Sequence, residues 1–369
     1  MAGGALAMCG GAVSMAGTTA TRGTRMGAQG RSSKLGGGRV TRRVVQCSSS
    51  PSSGRLAGRS VAVTGATGFV GSAVVEGLLA EGAARVTVLP SGEAASAKAR
   101  ERWASRPEVS VAPVGGWEAG LEGCDGCVNL AGAPIAESRW SDSYKKLIRS
   151  SRVEATRRVV AALKGGQQQS KGRSRPVLVS ASALGAYGTS ETDTFDEGSD
   201  FGGDFLAEVC RDWEAEAEKA GPEVRVVVLR LGIVLEAAGG ALGKMLPAFK
   251  FFMGGPLGDG RQWFTWIHRK DVVRLVVEAL ADDKYTGVYN ATAPEPVRMS
   301  EVCDTLGGIL SRPNWAPVPP FVLTMLLGDG AKVVLEGQRV LPNRTQGQGF
   351  KFDFPDIKST LRDIVSSSA

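Results

Sequence analysis

Three glycines at three-residue spacing follow a short apolar run and precede a stretch with helical periodicity. The run is residues 61–63, the glycines are Gly65, Gly68 and Gly71, and the periodic stretch extends to Leu79. A buried strand, a turn and a helix in this order bring the backbone close to the phosphates of a dinucleotide. The glycines permit a tight turn, leave room for the ligand and let the helix pack on its strand, and the helix N-terminus favours a pyrophosphate. The motif therefore predicts a nucleotide site, with an ordinary strand-to-helix turn as the alternative.

Apolar runs alternate with helical patterns up to about residue 235. Strands are predicted at residues 85–89, 109–114, 127–130, 176–180 and 224–231, and helices at residues 141–163 and 205–220. This alternation predicts an α/β fold with a doubly wound parallel sheet. Residues 59–235 would form a nucleotide-binding domain to which residues 260–292 return. Residues 236–369 would form a smaller, mixed C-terminal lobe, with the substrate cleft between the two.

The net charge of +7 arises in the first 47 residues. Seven of the 44 Lys and Arg residues lie there and the first acidic residue is Glu76, which leaves 37 basic residues to balance the 37 acidic ones. A balanced body gives no electrostatic reason to bind nucleic acid. The leader is acid-free and rich in Ala, Gly, Ser, Thr and Arg, which is typical of an organellar transit peptide. We predict a transit peptide and linker over residues 1–58 and a chloroplast location, in the stroma or at the stromal side of the envelope. A mitochondrial location and a disordered cytosolic tail are the alternatives.

Cysteine spacing and hydropathy bear on metal and membrane binding. Cys124 and Cys127 form a CxxC pair, but no second Cys/His pair accompanies it, so we predict no metal site. A redox pair and two small residues beside a strand are the readings left for these cysteines. No run of 18 apolar residues occurs, so no membrane span is predicted. We expect the apolar residues 321–327 to pack in the core rather than against a partner or a membrane surface, and Asp271 to cap a helix through Leu280.

The end of the second predicted strand bears on the choice between NAD and NADP. A site that prefers NAD places an Asp or Glu there, which bonds the adenosine ribose. Pro90 and Ser91 follow the strand here, and Lys98 and Arg100 lie on the next helical stretch. Because nothing at this point repels a 2′-phosphate, NADP(H) is favoured, and NAD(H) is the alternative.

Several motifs together resemble one protein family. They are TGATGFVG (64–71), NLAG (129–132), RW (139–140), SR (151–152), GGALGKMLP (239–247), GGP (254–256), WIH (266–268) and GQRVLP (337–342). From about residue 60 to the C-terminus the chain resembles the extended branch of the short-chain dehydrogenase/reductase superfamily. Within it, the chain is most similar to an atypical subfamily of epimerase family proteins, or nucleoside-diphosphate-sugar-epimerase-like proteins, whose plastid members carry a cell-division-inhibitor-like name.

The resemblance implies a Rossmann fold that binds NADP(H) at the glycine motif. The implied cofactor residues are Gly65, Thr67, Gly68, Phe69, Val70 and Gly71, with Leu130 and Ala131 near the adenosine. Relatives often place an Arg after the second strand for the 2′-phosphate. Ser91 occupies that position in this chain.

The catalytic residues of the superfamily are a Ser, a Tyr and a Lys. The Tyr transfers the proton, and the Lys lowers its pKa from the same helix face, four residues on. The alignment places Phe205 where the Tyr belongs and Val209 where the Lys belongs, so the resemblance implies that this pair is lost. The nearest replacement acid or base is Tyr187, with Ser182 on the same loop. A packed or cofactor-contacting Tyr187 is the alternative.

Four further positions bear on the substrate, the cleft or the internal structure. Sugar-nucleotide epimerases of this superfamily place an Arg on the diphosphate where the alignment puts Phe264, and Arg261 lies three residues earlier. Loss of a bidentate phosphate clamp argues against a nucleotide-sugar substrate. His268 is the single histidine, and we expect it to bond a nearby backbone group. Arg230, within an apolar strand, marks either the cleft or an internal ion pair.

The sequence thus predicts an NADP(H)-binding, epimerase-like oxidoreductase fold with an unknown small-molecule substrate. One alternative is a non-enzymatic cofactor-sensing or scaffold protein in plastid division, with a plastid protein as its partner. Another is an active nucleotide-sugar epimerase. A homodimer is one assembly to test.

Overall fold

Strands and helices alternate up to residue 231, and shorter elements follow. The computed structural model describes residues 54–169 and 175–367. The strands are β1 (Ser60–Thr64), β2 (Arg85–Leu89), β3 (Val109–Val111), β4 (Gly126–Asn129), β5 (Val177–Ala183), β6 (Thr194–Phe195), β7 (Arg225–Leu231), β8 (Ile233–Leu235), β9 (Trp263–Phe264), β10 (Trp266–His268), β11 (Gly287–Ala291), β12 (Val297–Arg298) and β13 (Arg339–Val340). The helices are α1 (Phe69–Ala80), α2 (Glu93–Arg102), α3 (Trp117–Leu121), α4 (Asp142–Gln169), α5 (Phe205–Glu218), α6 (Gly240–Lys250), α7 (Arg269–Ala281), α8 (Met299–Leu310), α9 (Pro320–Leu327), α10 (Lys332–Leu335), α11 (Asn343–Gly347) and α12 (Ile357–Ser366).

Seven strands form one parallel sheet whose order reverses beside β1. The order is β3-β2-β1-β4-β5-β7-β11, and every neighbouring pair is parallel. The predicted doubly wound sheet is therefore confirmed. Ligands of such sheets bind at the carboxyl ends of the strands where the order reverses. Here that point lies between β1 and β4, whose last residues Thr64 and Asn129 are in register.

Helices cover both faces of the sheet, which explains why its strands are apolar on both sides. On one face, α1 and α7 contribute Leu78 and Leu275, which are fully buried together with Val61 of β1. On the other face, α3 and α4 contribute Trp117 and Val159. The sheet is thereby held as a rigid layer whose carboxyl edge remains free to form a site.

Smaller C-terminal elements surround a separate apolar cluster. Leu242 of α6, Leu306 of α8 and Leu361 of α12 are buried there against β9 and β10. The short pairs β8–β10, β9–β12 and β6–β13 join this part of the chain. β11 belongs to the main sheet because it pairs with β7, and α7 packs in the apolar core on one face of that sheet. The domain boundary at residue 235 stays a prediction.

The predicted cap of α7 is wrong. The N-cap is His268, whose Nδ1 accepts the backbone N–H of Lys270 at 3.0 Å, so the expected bond from this histidine to a nearby backbone group is confirmed. Asp271 is instead fully buried inside the first turn, where its carboxylate accepts the N–H groups of Asp353 and Phe354, both at 3.0 Å. Asp271 therefore fastens the C-terminal tail to α7.

The expected burial of residues 321–327 is also wrong. They form most of α9, and none of the eight residues of α9, all of them described, is buried. Phe321 is 69% exposed and Leu326 is 60% exposed. The segment is therefore an apolar helix at the surface.

The predicted transit peptide falls largely on residues 1–53, which lie outside the described residues. At its end, Leu56 is fully buried and Arg55 pairs with Glu278 of α7 at 3.0 Å. Across the described ranges, no helix combines the length and the apolar composition needed to cross a membrane.

Candidate functional site

At Gly65 and Gly71 the turn after β1 is packed so closely that no side chain fits. Gly65 has a φ of 64°, and a Cβ there would lie 2.5 Å from the carbonyl oxygen of Leu130. A Cβ on Gly71 would lie 2.2 Å from the carbonyl oxygen of Gly65. Gly68 is exposed, and a Cβ there would lie 3.1 Å from the same oxygen. The three glycines therefore leave bare backbone at the carboxyl edge of the sheet.

Helix α1 begins at this turn and directs its N-terminus toward the same edge. Its N-cap is Gly68, and no described side chain caps the first turn. The first turn also lacks acidic residues. Its N–H groups and positive dipole end are thus available to an anion that the backbone approaches closely. Thr67 directly precedes Gly68, and Val70 is the second residue of α1; both are half-buried.

A polar network fixes the loop after β4 against the glycine turn. The hydroxyl of Thr64 donates to Asn129 Oδ1 at 2.7 Å and accepts the N–H groups of Leu130 at 3.0 Å and Ala131 at 3.2 Å. The amide of Asn129 donates to Thr156 at 2.8 Å. Because these groups are buried and paired, the backbone of residues 130–131 is held in one position. The motif resemblance included Asn129, but the anchoring role of Thr64 was missed.

Phe69 connects the glycine turn to the smaller C-terminal elements. A Cβ on Gly239 would lie 2.8 Å from its ring, and one on Gly240 would lie 3.1 Å from it. The guanidinium of Arg269, the first residue of α7, lies 5.3 Å from the ring centre. The GGALGKMLP motif therefore needs its first two glycines, because they lie directly on the ring of Phe69.

The segment after β2 carries no acidic residue until Glu93. Ser91 is exposed, and the carbonyl of Pro90 accepts the indole N–H of Trp117 at 2.8 Å. Lys98 is exposed on α2, and Arg100 lies on the same helix with its Nε 3.4 Å from Ser96 Oγ. Ser91 and Lys98 are thus both exposed at this end of the edge.

Arg152 of α4 lies against the loop after β4. Its guanidinium donates to the carbonyl oxygens of Ala133 at 3.0 Å and Ile148 at 2.9 Å, and lies 3.0 Å from where a Cβ of Gly132 would be. Burial lowers the pKa of this arginine. No carboxylate within the described ranges pairs with it. A largely buried cation without a counter-ion beside the sheet edge is a candidate anion contact, and the SR motif was its only sequence signal.

Ser182 and Tyr187 belong to one buried network. Ser182 Oγ donates to Glu214 Oε1 at 2.5 Å, and Arg230 binds the same carboxylate through two bonds of 2.9 and 2.8 Å. The Arg230 guanidinium lies 4.8 Å from the centre of the Tyr187 ring. The Tyr187 hydroxyl donates to Asn290 Oδ1 at 2.7 Å, and burial raises its pKa. Arg230 thus forms the internal ion pair, and both candidate hydroxyls already have protein partners.

The helix that follows carries apolar residues at the two aligned catalytic positions. Phe205 is the first residue of α5, and its ring contacts Trp140 edge to face with centres 5.4 Å apart. Lys145 Nζ lies 5.8 Å from the centre of the Phe205 ring. Val209 is buried. Phe205 and Val209 therefore cannot exchange a proton or hydrogen-bond to a ribose hydroxyl.

The aligned phosphate-clamp position is also apolar. Phe264 is buried, and Arg261 is exposed and paired with Asp259 at 2.8 Å. A cavity of about 390 Å³ opens beside Tyr187 and Asp204. No bidentate arginine clamp for a diphosphate lies at the aligned position.

The fold and the glycine cradle define a doubly wound α/β protein with a site shaped for a dinucleotide. Residues 61–291 match the model of the NAD dependent epimerase/dehydratase family, and residues 318–364 match a domain of unknown function, DUF1731. The chain belongs to the NAD dependent epimerase/dehydratase family, and the resemblance found in its motifs is confirmed.

Relatives span plants, bacteria and animals. The chain is 48% identical over 328 residues to the epimerase family protein SDR39U1 homolog, chloroplastic, of Arabidopsis thaliana, which is 88% of this chain and 91% of that protein. It is 36% identical over 309 residues to epimerase family protein SSP1921 of Staphylococcus saprophyticus, 82% of this chain and 98% of that protein. The crystal structure of human epimerase family protein SDR39U1 with NADPH is similar with a TM-score of 0.72 and 32% identity, over 83% of this chain and 99% of that one.

Proposed function

We propose that the chain binds NADP(H) in the crevice at the carboxyl ends of β1 and β4. The observation that carries the proposal is the bare turn at Gly65, Gly68 and Gly71, where backbone packs on backbone below an uncapped helix N-terminus. The related human structure contains NADPH, which supports the choice of ligand. Bound NADP(H) would supply a hydride donor or acceptor. The chain itself would supply the binding and orientation.

The proposed contacts are with the pyrophosphate and the adenosine half of the cofactor. The glycine turn, with Thr67, Phe69 and Val70, would hold the pyrophosphate at the N-terminus of α1. Leu130 and Ala131 would lie along the adenosine, because their backbone is fixed beside Gly65. Ser91 would lie nearest the 2′-phosphate.

Arg152 is an additional proposed contact. Its guanidinium has carbonyl partners but no described carboxylate partner. It packs from α4 against the loop that contains Gly132 and Ala133. A cofactor phosphate would supply the missing negative charge. Arginine suits this role because its planar donors bind phosphate oxygens in pairs.

Selectivity for NADP(H) over NAD(H) is proposed from the same edge. An Asp or Glu in place of Ser91 would repel a 2′-phosphate, and this chain has neither there. Lys98 and Arg100 would attract the phosphate from α2. NAD(H) stays the alternative because no arginine directly follows β2.

We further propose that the protein is an epimerase-like oxidoreductase fold that has lost the usual Tyr/Lys pair. Phe205 and Val209 carry no titratable group. Ser182 and Tyr187 are the remaining catalytic candidates, but their hydroxyls donate to Glu214 and Asn290. Catalysis through Tyr187 would require that bond to break. An active nucleotide-sugar epimerase is the least supported alternative, because Phe264 replaces the phosphate clamp.

A non-enzymatic role in the chloroplast is the second candidate. The missing catalytic pair favours a cofactor-sensing or scaffold protein, acting in plastid division with a plastid protein as partner. The chloroplastic name of the Arabidopsis relative and the acid-free leader support a chloroplast location. The small-molecule substrate of the enzymatic alternative is unknown.

NADPH titration of the full chain, followed by NADPH fluorescence, tests the binding proposal. We expect saturable binding with a Kd on the order of 1–10 µM, typical of a preformed site. NADH is expected to bind more weakly. The Arg152→Gln variant should weaken NADPH binding by about 10- to 100-fold, since a charge-assisted pair contributes about 1.5–3 kcal/mol. Absence of binding at about 1 mM NADPH, which corresponds to only −4 kcal/mol, would overturn the proposal.

A second assay separates the enzymatic and non-enzymatic candidates. NADPH oxidation is followed with a panel of aldehydes and ketones, for wild type and for Tyr187→Phe. Epimer formation from UDP-sugars is followed by NMR, because epimerisation regenerates the cofactor and gives no net NADPH oxidation. Turnover that is lost in Tyr187→Phe, in a variant that still binds NADPH, would favour catalysis through Tyr187. Turnover of a UDP-sugar would instead restore the epimerase alternative.

A further inference from the structure

The first part of the DUF1731 segment forms a strap that crosses to the loop before α4. We define the strap as residues 320–331, which comprise α9 and the 3-10 turn Gly328–Ala331. The remainder of the segment is anchored differently, since Leu361 and Ile364 of α12 are buried in the smaller apolar cluster. The two parts of this domain of unknown function therefore have different surroundings.

The strap is attached mainly by polar contacts. Its Leu327 carbonyl accepts the N–H of Trp140 at 3.1 Å, and its Met325 carbonyl accepts a bond from Arg139 at 3.3 Å. Asp329 pairs with Lys145 Nζ at 2.6 Å, and the Asp329 side chain is 69% exposed. Such contacts are weak individually because water competes with them. These polar contacts therefore hold α9, none of whose described residues is buried, only weakly, whereas Gly330 and Ala331 at the end of the strap are buried.

Trp140 contacts both the strap and α5. Gly330 lies so close to the Trp140 indole that a Cβ would be 2.7 Å from Nε1. The Trp140 ring also contacts Phe205, with ring centres 5.4 Å apart. Lys145 pairs with Asp329 of the strap, and its Nζ also lies over the Phe205 ring. The strap, Trp140 and Phe205 form one continuous set of contacts.

This set of contacts ends at the far side of the crevice from the glycine turn. A dinucleotide crosses a doubly wound sheet at the reversal of strand order. With its pyrophosphate at α1 and its adenosine beside Ser91 and Leu130, as proposed above, its nicotinamide half would extend toward β5 and the start of α5. Phe205 is the first residue of α5. The strap therefore reaches the end where hydride transfer would take place.

We propose that the strap is a gate over the nicotinamide end of the crevice, closed by the Lys145–Asp329 pair and by the fit of Gly330 on Trp140. This inference rests on the proposed cofactor site. In the closed position the strap holds Trp140 against Phe205 and excludes water from the nicotinamide. In the open position it admits the substrate or a partner group. The gate assigns a role to the first part of DUF1731.

Acrylamide quenching of bound NADPH fluorescence tests the gate in the full chain. Asp329→Asn removes the ion pair, and Gly330→Ala forces the strap away from Trp140. Glu154→Gln is the matched control, because Glu154 forms an exposed pair with Arg157 at 2.8 Å on the same helix as Lys145 but away from the strap. Hydrogen exchange of residues 320–331 without cofactor gives an independent readout. Circular dichroism verifies that each variant is folded.

We expect Asp329→Asn and Gly330→Ala to raise the quenching constant of bound NADPH by about two- to fivefold, the effect of one exposed pair on an equilibrium. Exchange of residues 320–331 should accelerate in the same variants. The Kd for NADPH should stay within about twofold, because the glycine cradle is distant, and Glu154→Gln should match wild type. Unchanged quenching and exchange in both strap variants would overturn the gate and leave cofactor binding intact. Absence of NADPH binding to wild type would instead overturn the proposed function.

Discussion

The single histidine gives a prediction that can be measured without knowing the substrate. His268 is fully buried, its Nδ1 accepts the N–H of Lys270, and its ring stacks on Phe354 with centres 3.9 Å apart. Burial lowers its pKa to about 4, and Lys270 acts in the same direction. The carboxylate of Asp363, 3.4 Å from Nε2, opposes this shift but is already paired with Lys270 Nζ at 2.9 Å. The imidazole is therefore held neutral.

The lowered pKa makes folding sensitive to mild acid. In the unfolded chain His268 has a pKa of about 6.5, so between pH 6.5 and 4 the unfolded state binds a proton that the folded state does not. Stability must fall as the pH falls through this window. With these two pKa values, the linkage relation gives a loss of about 2 kcal/mol between pH 7 and pH 5, and about 3 kcal/mol in total.

Urea unfolding at pH 7, 6 and 5 measures this loss in wild type and in His268→Asn. Asn offers an oxygen that can accept the Lys270 N–H as an N-cap, but it does not titrate. The variant should lose about 2 kcal/mol less than wild type over this range. Because the chain has one histidine, NMR of the imidazole protons gives its pKa directly. An imidazole pKa near 6.5, or equal pH slopes in the two proteins, would refute the reasoning.

Three further predictions concern the turn, the buried network and the surface helix. Gly71→Ala should cost about 1–3 kcal/mol in the free energy of unfolding and weaken NADPH binding, because its Cβ would lie 2.2 Å from a carbonyl oxygen. The control Gly165→Ala, with no described atom within 4 Å, should raise stability by up to about 1 kcal/mol. Tyr187→Phe should cost about 1–3 kcal/mol by leaving Asn290 Oδ1 without its donor, with no change in the Kd for NADPH; a weaker Kd would argue for a cofactor contact. Phe321→Ser should change urea stability by less than about 0.5 kcal/mol, since the ring is 69% exposed, and a larger loss would contradict the exposure of α9.

The main sheet and the glycine turn were predictable because their signals are local. Strand, turn and helix lie within 25 residues, and the contacts of Gly65 and Gly71 are made largely within that unit and with the loop of the neighbouring strand. The apolar residues at the two aligned catalytic positions, Phe205 and Val209, were also predictable because both lie in one helix.

Contacts between distant segments account for what the sequence did not predict. Asp271 looks like a helix cap locally, but its partners Asp353 and Phe354 lie 82 and 83 residues away. The position of Arg152 beside Gly132 depends on how α4 packs on the loop after β4, which the local sequence does not show. An apolar run such as that of α9 fits a core and a surface equally well, and its surroundings decide between them.

The last strand to join the main sheet completes it late in the chain. β11 follows the whole excursion through α6 and the short strands, and α7, which covers one face, immediately precedes it. A chain that ends before residue 287 would leave β7 as an unpaired edge, and one that ends before α7 would also uncover the apolar face beneath that helix. Exposed edges and apolar faces of this kind promote aggregation. During synthesis from the N-terminus, the sheet is therefore nearly complete but has β7 as an open edge until its final strand emerges.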